Sequence, residues 1–387
     1  MLQLNTKHGS IGNLIDWPLF LSVIPLLGAG LVTMYSFVGE NLFFEKQLMW
    51  IGISLIVFFL LSFVDFRFLN NTNIIVILFS FSILVLLALF LFATTTKGAQ
   101  SWFNLGKLSF QPSDPIKLVV IILLAKYFSR RHIEIANIRH IIISGAYVFV
   151  IVGLVFLQPD FGSAIIIFML WLGMVLVSGL SKKHFLLVFL SLALVFSFLW
   201  FFSLAEYQKQ RILTFIHPLT DISGTGYNAY QSTIAIGSGG LVGKGLGYGT
   251  QSRLQFLPEY ETDFVFAAFA EEWGFIGVLV IFLLYGIVIY KIIKISAHGA
   301  TNFEVLFGLG LAILFSSHII IHVGMNIGLL PITGTTIPFL SYGGSHLLTE
   351  FMGLGILMGM RRYSRAIHKD DMHKEFLGVG KAESMLK

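Results

Sequence analysis

The chain has 387 residues, of which 56% are hydrophobic and 12% charged, with a formal net charge of +5 and no cysteine. A soluble domain carries about twice that charged fraction, so a water-soluble enzyme is excluded, as are a disulfide framework, a thiolate metal site and a cysteine nucleophile. The basic balance implies no nucleic-acid partner, because Lys and Arg ordinarily gather in the cytoplasmic loops of membrane proteins.

The polar start MLQLNTKHGSIGN shows neither a basic n-region nor a cleavage site, so the first apolar span is expected to stay as an anchor. Long apolar runs predict helices over about 17–37, 46–64, 73–93, 114–129, 141–157, 162–179, 185–203, 263–290, 303–330 and 338–360. The runs are continuous, not alternating, which excludes a β-barrel. Ten spans put both termini on one side. If that side is the cytoplasm, 17 of the 25 basic residues fall inside, among them Arg130, Arg131, Lys182, Lys183, Lys291, Lys294 and those from Arg361 onward. The positive-inside rule therefore supports an N-in, C-in topology. The expected fold is an all-α polytopic membrane protein, one domain over 1–387. It has a large extracytoplasmic loop at 204–262 between helices 7 and 8, expected to be partly helical, and a cytoplasmic tail at 361–387.

Ionisable groups in membrane spans are costly and are functional candidates. Here they collect at the outward helix ends. Asp114 begins the fourth span in FQPSDPIKL, with Lys117 at i+3 on the same face. Asp160 lies in the turn LQPDFGSA, and Asp263 opens the eighth span with Glu271 and Glu272 at least two turns deeper. Each of the first three also suits a structural role, as N-cap, turn residue or first-turn acid. The adjacent glutamates need partners or water at their depth. Lys97, Lys107, Lys117, Arg211, Lys244 and Arg253 share the outer address. Carboxylates beside cations suit a divalent metal with an anionic substrate such as a pyrophosphate, and equally suit salt bridges that hold loops.

Three motifs mislead. GSGGLVGKG (237–245) resembles a phosphate-binding loop, but Ser238 stands where the first glycine belongs and Gly245 follows Lys244. His318 and His322 have zinc-pair spacing without the intervening Glu, and are read as interhelical hydrogen-bonders. FLSYGGSH (339–346) is no nucleophile elbow; its glycines suit a close approach or a broken helix start.

Taken together, GAQSWFNLGKLSFQPSDPIKL (98–118), LQPDFGSA (157–164), residues 230–277 and NIGLLPITGTTIPFLSYGGS (326–345) resemble the SEDS family of shape, elongation, division and sporulation proteins, elongation-type more than division-type. The resemblance spans nearly the whole chain. It implies a bacterial inner-membrane peptidoglycan glycosyltransferase that polymerises lipid II beside a class B penicillin-binding protein transpeptidase, other elongation-complex membrane proteins and membrane lipids. Asp263 matches the family's essential aspartate; Asp114, Asp160, Lys117, Trp102 and Glu259 match its other motif positions. Three residues depart from the pattern: Asp114 replaces a glutamate, Glu261 a histidine and His346 a serine. None touches Asp263.

The implied chemistry makes Asp263 the general base. Asp114 and Asp160 would hold Mg²⁺ or Mn²⁺ against the pyrophosphate. Lys117, Lys244, Arg253, Trp102 and Glu259 would bind substrate. The rival reading is a lipid II flippase or transporter, but transporter sites lie near the midplane between related repeats. This sequence shows no repeat and places its acids at the rim. A non-catalytic scaffold that activates its partner is a third reading.

Overall fold

The computed structural model describes residues 15–36, 42–96, 99–105, 108–129, 138–179, 226–254 and 256–376, with 209, 213 and 215. The expected span at 185–203, and Lys97, Lys107 and Arg211, lie outside them.

The first six helices are α1 (Trp17–Ser36), α2 (Leu42–Ser62), α3 (Thr72–Phe92), α4 (Ser113–Ser129), α5 (Ile138–Leu157) and α6 (Phe161–Val177). After them come α7 (Tyr227–Gly239), the single turn α8 (Thr250–Arg253), α9 (Val265–Ser296), α10 (Asn302–Asn326) and α11 (Gly344–Phe376). Six of these are long and apolar enough to cross a membrane: α1, α2, α3, α5, α9 and α10. Their outward faces carry bare hydrocarbon, including Leu21, Ile56, Ile77, Phe81 and Leu283. In a membrane protein such residues face lipid.

Short polar side chains start several helices by accepting first-turn amides. Asp16 accepts from Leu19 N (3.2 Å), Asn71 from Asn73 N (3.0 Å), Asp160 from Ser163 N (3.0 Å) and Thr301 from Glu304 N (3.3 Å). At one end of the bundle Asp16 also takes Arg361 at 3.0 Å and Lys291 at 3.5 Å, joining the start of α1 to α9 and α11. In the middle, α10 packs on α4, α6 and α9, while α2 lies along α11 and α1 along α9.

The structure departs from the expected outline in four places. Residues 94–110 are not plain loop but a three-stranded antiparallel sheet, β1 (Thr94–Thr96), β2 (Ala99–Leu105) and β3 (Leu108–Phe110), so the fold is not purely helical. The ninth predicted span ends at Asn326, short of 330. The last begins at Gly344 rather than 338, because Phe339 sits at φ +62° and residues 327–343 fold back into the protein as irregular backbone. That helix then continues through the expected tail to Phe376. Finally, α9 is broken at Gly274, whose φ of +66° and ψ of −169° are not helical. The expected helical content of the long loop is met by α7 and α8.

Candidate functional site

The turn before α9 is built to present Asp263. Glu259 adopts φ +51°, and its carbonyl gathers the amides of Thr262 (3.2 Å), Asp263 (3.0 Å) and Phe264 (3.1 Å). Those amides would otherwise be orphan donors at the mouth of the helix. From the other side, Asn326 at the end of α10 donates to Asp263 O (3.0 Å) and accepts from Ala267 N (3.2 Å). Ser232 of α7 donates to Asn326 O (2.8 Å). Residues 327–343 complete the seat. Ser341 donates to Thr262 O (2.9 Å), and Tyr342 N to Glu261 O (2.9 Å). A Cβ placed on Gly334 would lie 3.4 Å from Asp263 Oδ2, so the half-buried carboxylate rests against this loop.

The same loop meets the Asp160 turn, and Asp114 lies against the start of the helix that follows it. A Cβ on Gly162, at the start of α6, would come within 2.8 Å of Thr333 O, so the Asp160 turn abuts residues 333–335. Asp160 caps α6 with Oδ1, and its Oδ2 accepts from Gln111 Nε2 at 2.8 Å. Asp114 is buried. Its Oδ1 takes Lys117 Nζ at 2.8 Å and its Oδ2 takes Ser345 Oγ at 2.9 Å. His346 Nδ1 lies 3.7 Å from Asp114, and its Nε2 lies 2.9 Å from Glu350 Oε1. The His346 ring also packs against His318, with centroids 4.5 Å apart. Asp263 and Asp160 therefore border one loop, and Asp114 sits where that loop passes into α11.

Several expected roles change. His318 and His322 do not hydrogen-bond to another helix through Nδ1. Their Nδ1 atoms meet the carbonyls of Thr336 (3.1 Å) and Thr335 (2.6 Å), pinning the loop under Asp263. Asp114 and Asp160 do not suit a resident metal. Both Asp114 oxygens are committed to an ammonium and a hydroxyl in a closed interior, and both Asp160 oxygens to an amide and a carboxamide. Among the described residues no group of three His, Asp or Glu is placed to hold an ion. Lys117 is only 3% exposed and faces Asp114 rather than open space. Arg253 is exposed on α8, donating to Gly247 O at 3.1 Å, and Trp102 is half-buried on β2 opposite Thr94.

Lys244 is 2.7 Å from Glu271, which is 0% exposed. The two deep glutamates thus have partners. Glu271 also accepts from Thr250 Oγ1 (3.1 Å) and Gln251 N (3.1 Å). Glu272 accepts from Ser36 Oγ (2.6 Å) and Gly247 N (3.0 Å). Between them they hold the segment 244–251 and the end of α1 against α9. That satisfies the need for buried charge to be paired and hydrogen-bonded.

Asn326, Gln111, Ser345 and Glu350 went unnoticed in the sequence. A lone Asn closing an apolar span was the available signal for the first. Replacing Asn326 by Ala removes both of its bonds to the start of α9, and misplacing a reacting group by about 1 Å can cost a factor of about 100. Asn326→Ala is expected to lower turnover at least about tenfold with little change in substrate half-saturation, measured by steady-state kinetics. An unchanged turnover would show that the Glu259 turn suffices alone.

A family model for cell cycle proteins, FTSW_RODA_SPOVE, matches residues 14–366. The peptidoglycan glycosyltransferase MrdB of Escherichia coli (strain K12) is 38% identical over 277 residues, covering 71% of this chain and 74% of that one. Stage V sporulation protein E of Bacillus subtilis (strain 168) is 33% identical over 362 residues, 90% of this chain and 98% of that one. A chain from a solved peptidoglycan synthase complex, in which polymerisation and crosslinking are coordinated, superposes with a TM-score of 0.77 at 29% identity, covering 90% and 98% of the two chains.

Proposed function

The chain belongs to the FtsW/RodA/SpoVE family, and on that premise we propose that it is a membrane-embedded peptidoglycan glycosyltransferase that polymerises lipid II during cell elongation. The named activity of its relative from Escherichia coli supports the reaction class. The observation that carries the reading is the seat of Asp263, a half-buried carboxylate at the mouth of a spanning helix, held through its main chain by Asn326 and Glu259.

Glycosyl transfer from a lipid pyrophosphate needs a base at the acceptor hydroxyl and charge stabilisation at the leaving group. In this reading Asp263 takes the proton from the GlcNAc 4-hydroxyl of one lipid-linked chain. The oxygen attacks the anomeric carbon of the other in line, with inversion, and the bond to undecaprenyl pyrophosphate breaks. Glu259 and Trp102 wall the sugar side, and the exposed guanidinium of Arg253 meets the pyrophosphate. Lys117 and Lys244 act through the carboxylates they hold, Asp114 and Glu271.

The proposal includes ten spans with both termini inside, placing the Asp263 end on the outer face of the bacterial inner membrane. Its support is the charge bias of the sequence and the Asp16, Lys291 and Arg361 cluster at the opposite end. A class B penicillin-binding protein is the proposed partner, supported by the synthase complex that the fold matches. Asp263 and Asp160 border an end loop, with Asp114 at the start of the helix after it, rather than lining a midplane site between repeats, which favours the enzyme over the flippase.

The test is a gel assay of the purified chain with labelled lipid II and a catalytically inactivated partner, with Mg²⁺, with Mn²⁺ and with a chelator. Glycan ladders are expected. Absence of polymer in every arm would return the chain to the scaffold or flippase readings. Full activity under chelation would agree with the committed oxygens of Asp114 and Asp160, and loss of activity would call for a divalent cation held elsewhere.

A further inference from the structure

The glycine-rich segment after α7 is wedged into the break in α9. Gly274 turns the helix aside, and the four groups that an unbroken helix would pair with one another are met by the loop. Lys244 N and Gly245 N donate to Glu271 O (3.0 Å) and Glu272 O (3.1 Å). Phe275 N and Ile276 N donate to Gly240 O (2.9 Å) and Leu241 O (3.1 Å). Non-helical backbone survives at membrane depth only where its polar groups are satisfied by protein, and here they are.

Two helices fix how deep this lies. The 20 residues of α1 make about 30 Å of helix, the thickness of the bilayer hydrocarbon. The inner end of α1, at Asp16, is level with Lys291 of α9, and its outer end, Ser36, is bonded to Glu272. Glu272 therefore marks the outer boundary of the hydrocarbon on α9. Gly274, Phe275 and Ile276 lie beyond it toward the bilayer centre, and tilt would only deepen them. The loop residues bonded at that level are Gly240 and Leu241. Leu241 is 70% exposed and Val242 74% exposed, beside Phe275 and Ile276, each 55% exposed. The one cation of the segment, Lys244, turns inward to Glu271.

We propose that residues 239–246 form a re-entrant loop whose Leu241–Val242 tip is inserted among lipid acyl chains, in the leaflet on the Asp263 side. The tip has no polar side chain and no exposed charge, which suits hydrocarbon and not water. Its effect is to tie the segment between α7 and Asp263 to the bilayer, so that the residues leading into the site keep a fixed height over the membrane.

The cysteine-free chain allows a direct test that does not depend on enzymatic activity, and so stands or falls separately from the proposed reaction. Spin labels are attached to Leu241→Cys and Val242→Cys in lipid nanodiscs, with Leu283→Cys on the lipid face of α9 and Ser109→Cys on β3 as references. Collision rates with oxygen, which enters hydrocarbon, and with a water-soluble nickel chelate are measured by power saturation. At both tip positions oxygen access several-fold above that of Ser109→Cys, with chelate access several-fold below it, is expected, as at Leu283→Cys. A profile like that of Ser109→Cys would overturn the proposal in favour of water. Exclusion of both reagents would overturn it in favour of a protein neighbour.

Discussion

Asp263→Asn is expected to abolish glycan-chain formation while leaving the protein folded. General base catalysis is worth about 10² to 10⁴ in rate, so the purified variant is expected to fall by that factor in the lipid II assay. Asn is nearly isosteric and leaves the main-chain bonds from Asn326 and to Glu259 O intact, because these use Asp263 O and N and not the carboxylate. The local turn should therefore survive, and thermal unfolding in detergent should shift little. Asp263→Glu is the informative companion. It keeps the base but pushes it one methylene further toward Gly334, and partial activity is expected. If Asp263→Asn polymerised normally, the base would have to be sought elsewhere around the loop, at Asp160 or Glu259. If it lost activity together with its unfolding transition, the residue would be structural.

Gly243→Ala is expected to destabilise the protein strongly. Gly243 sits at φ +82°, and a Cβ there would lie 2.1 Å from Glu272 O and 2.5 Å from Glu272 C. The clash is with backbone that α9 cannot move without giving up the bonds of Lys244 N and Gly245 N. Left-handed backbone alone costs a non-glycine residue about 1–2 kcal/mol. Opening two buried backbone hydrogen bonds adds about 1–3 kcal/mol for each group left unpaired. A loss of more than about 3 kcal/mol follows from these terms together. The control is Gly240→Ala, where φ is +55° but nothing lies within 4 Å of the added methyl. It should show the strain alone. Thermal unfolding of the two variants side by side is decisive, and equal shifts would mean that the loop is not wedged as described.

Much of this organisation is legible along the chain. Span hydrophobicity and the charge bias of the connections are local properties, and they placed nine of the ten predicted spans on helices of the structure. The acids stood out because so few charges share an apolar chain. The errors lie where local pattern and long-range packing disagree. TTIPFLSYGG is apolar enough to pass for the start of a span. The backbone instead turns at Phe339, whose amide is held by Glu350 Oε2 at 3.0 Å, and the helix waits for Gly344. His318 and His322 suggested hydrogen bonds to another helix, because nothing in a spacing of four says that a folded-back loop will offer carbonyls. Asp114 beside Lys117 was compatible with a metal until Ser345 closed the second oxygen.

By itself the sequence determined the membrane class and the end of the molecule where charge gathers, and its family resemblance singles out Asp263 as the proposed base. The first two follow from residue type and its position relative to an apolar run. The tertiary structure alone decided how Asp263 is held and what the deep glutamates do. Asn326 reaches Asp263 across 63 residues and Ser345 reaches Asp114 across 231. Glu271 and Glu272 meet a loop that enters the break at Gly274. Such pairings form because buried polar groups must find partners, and the chain places those partners far apart in sequence.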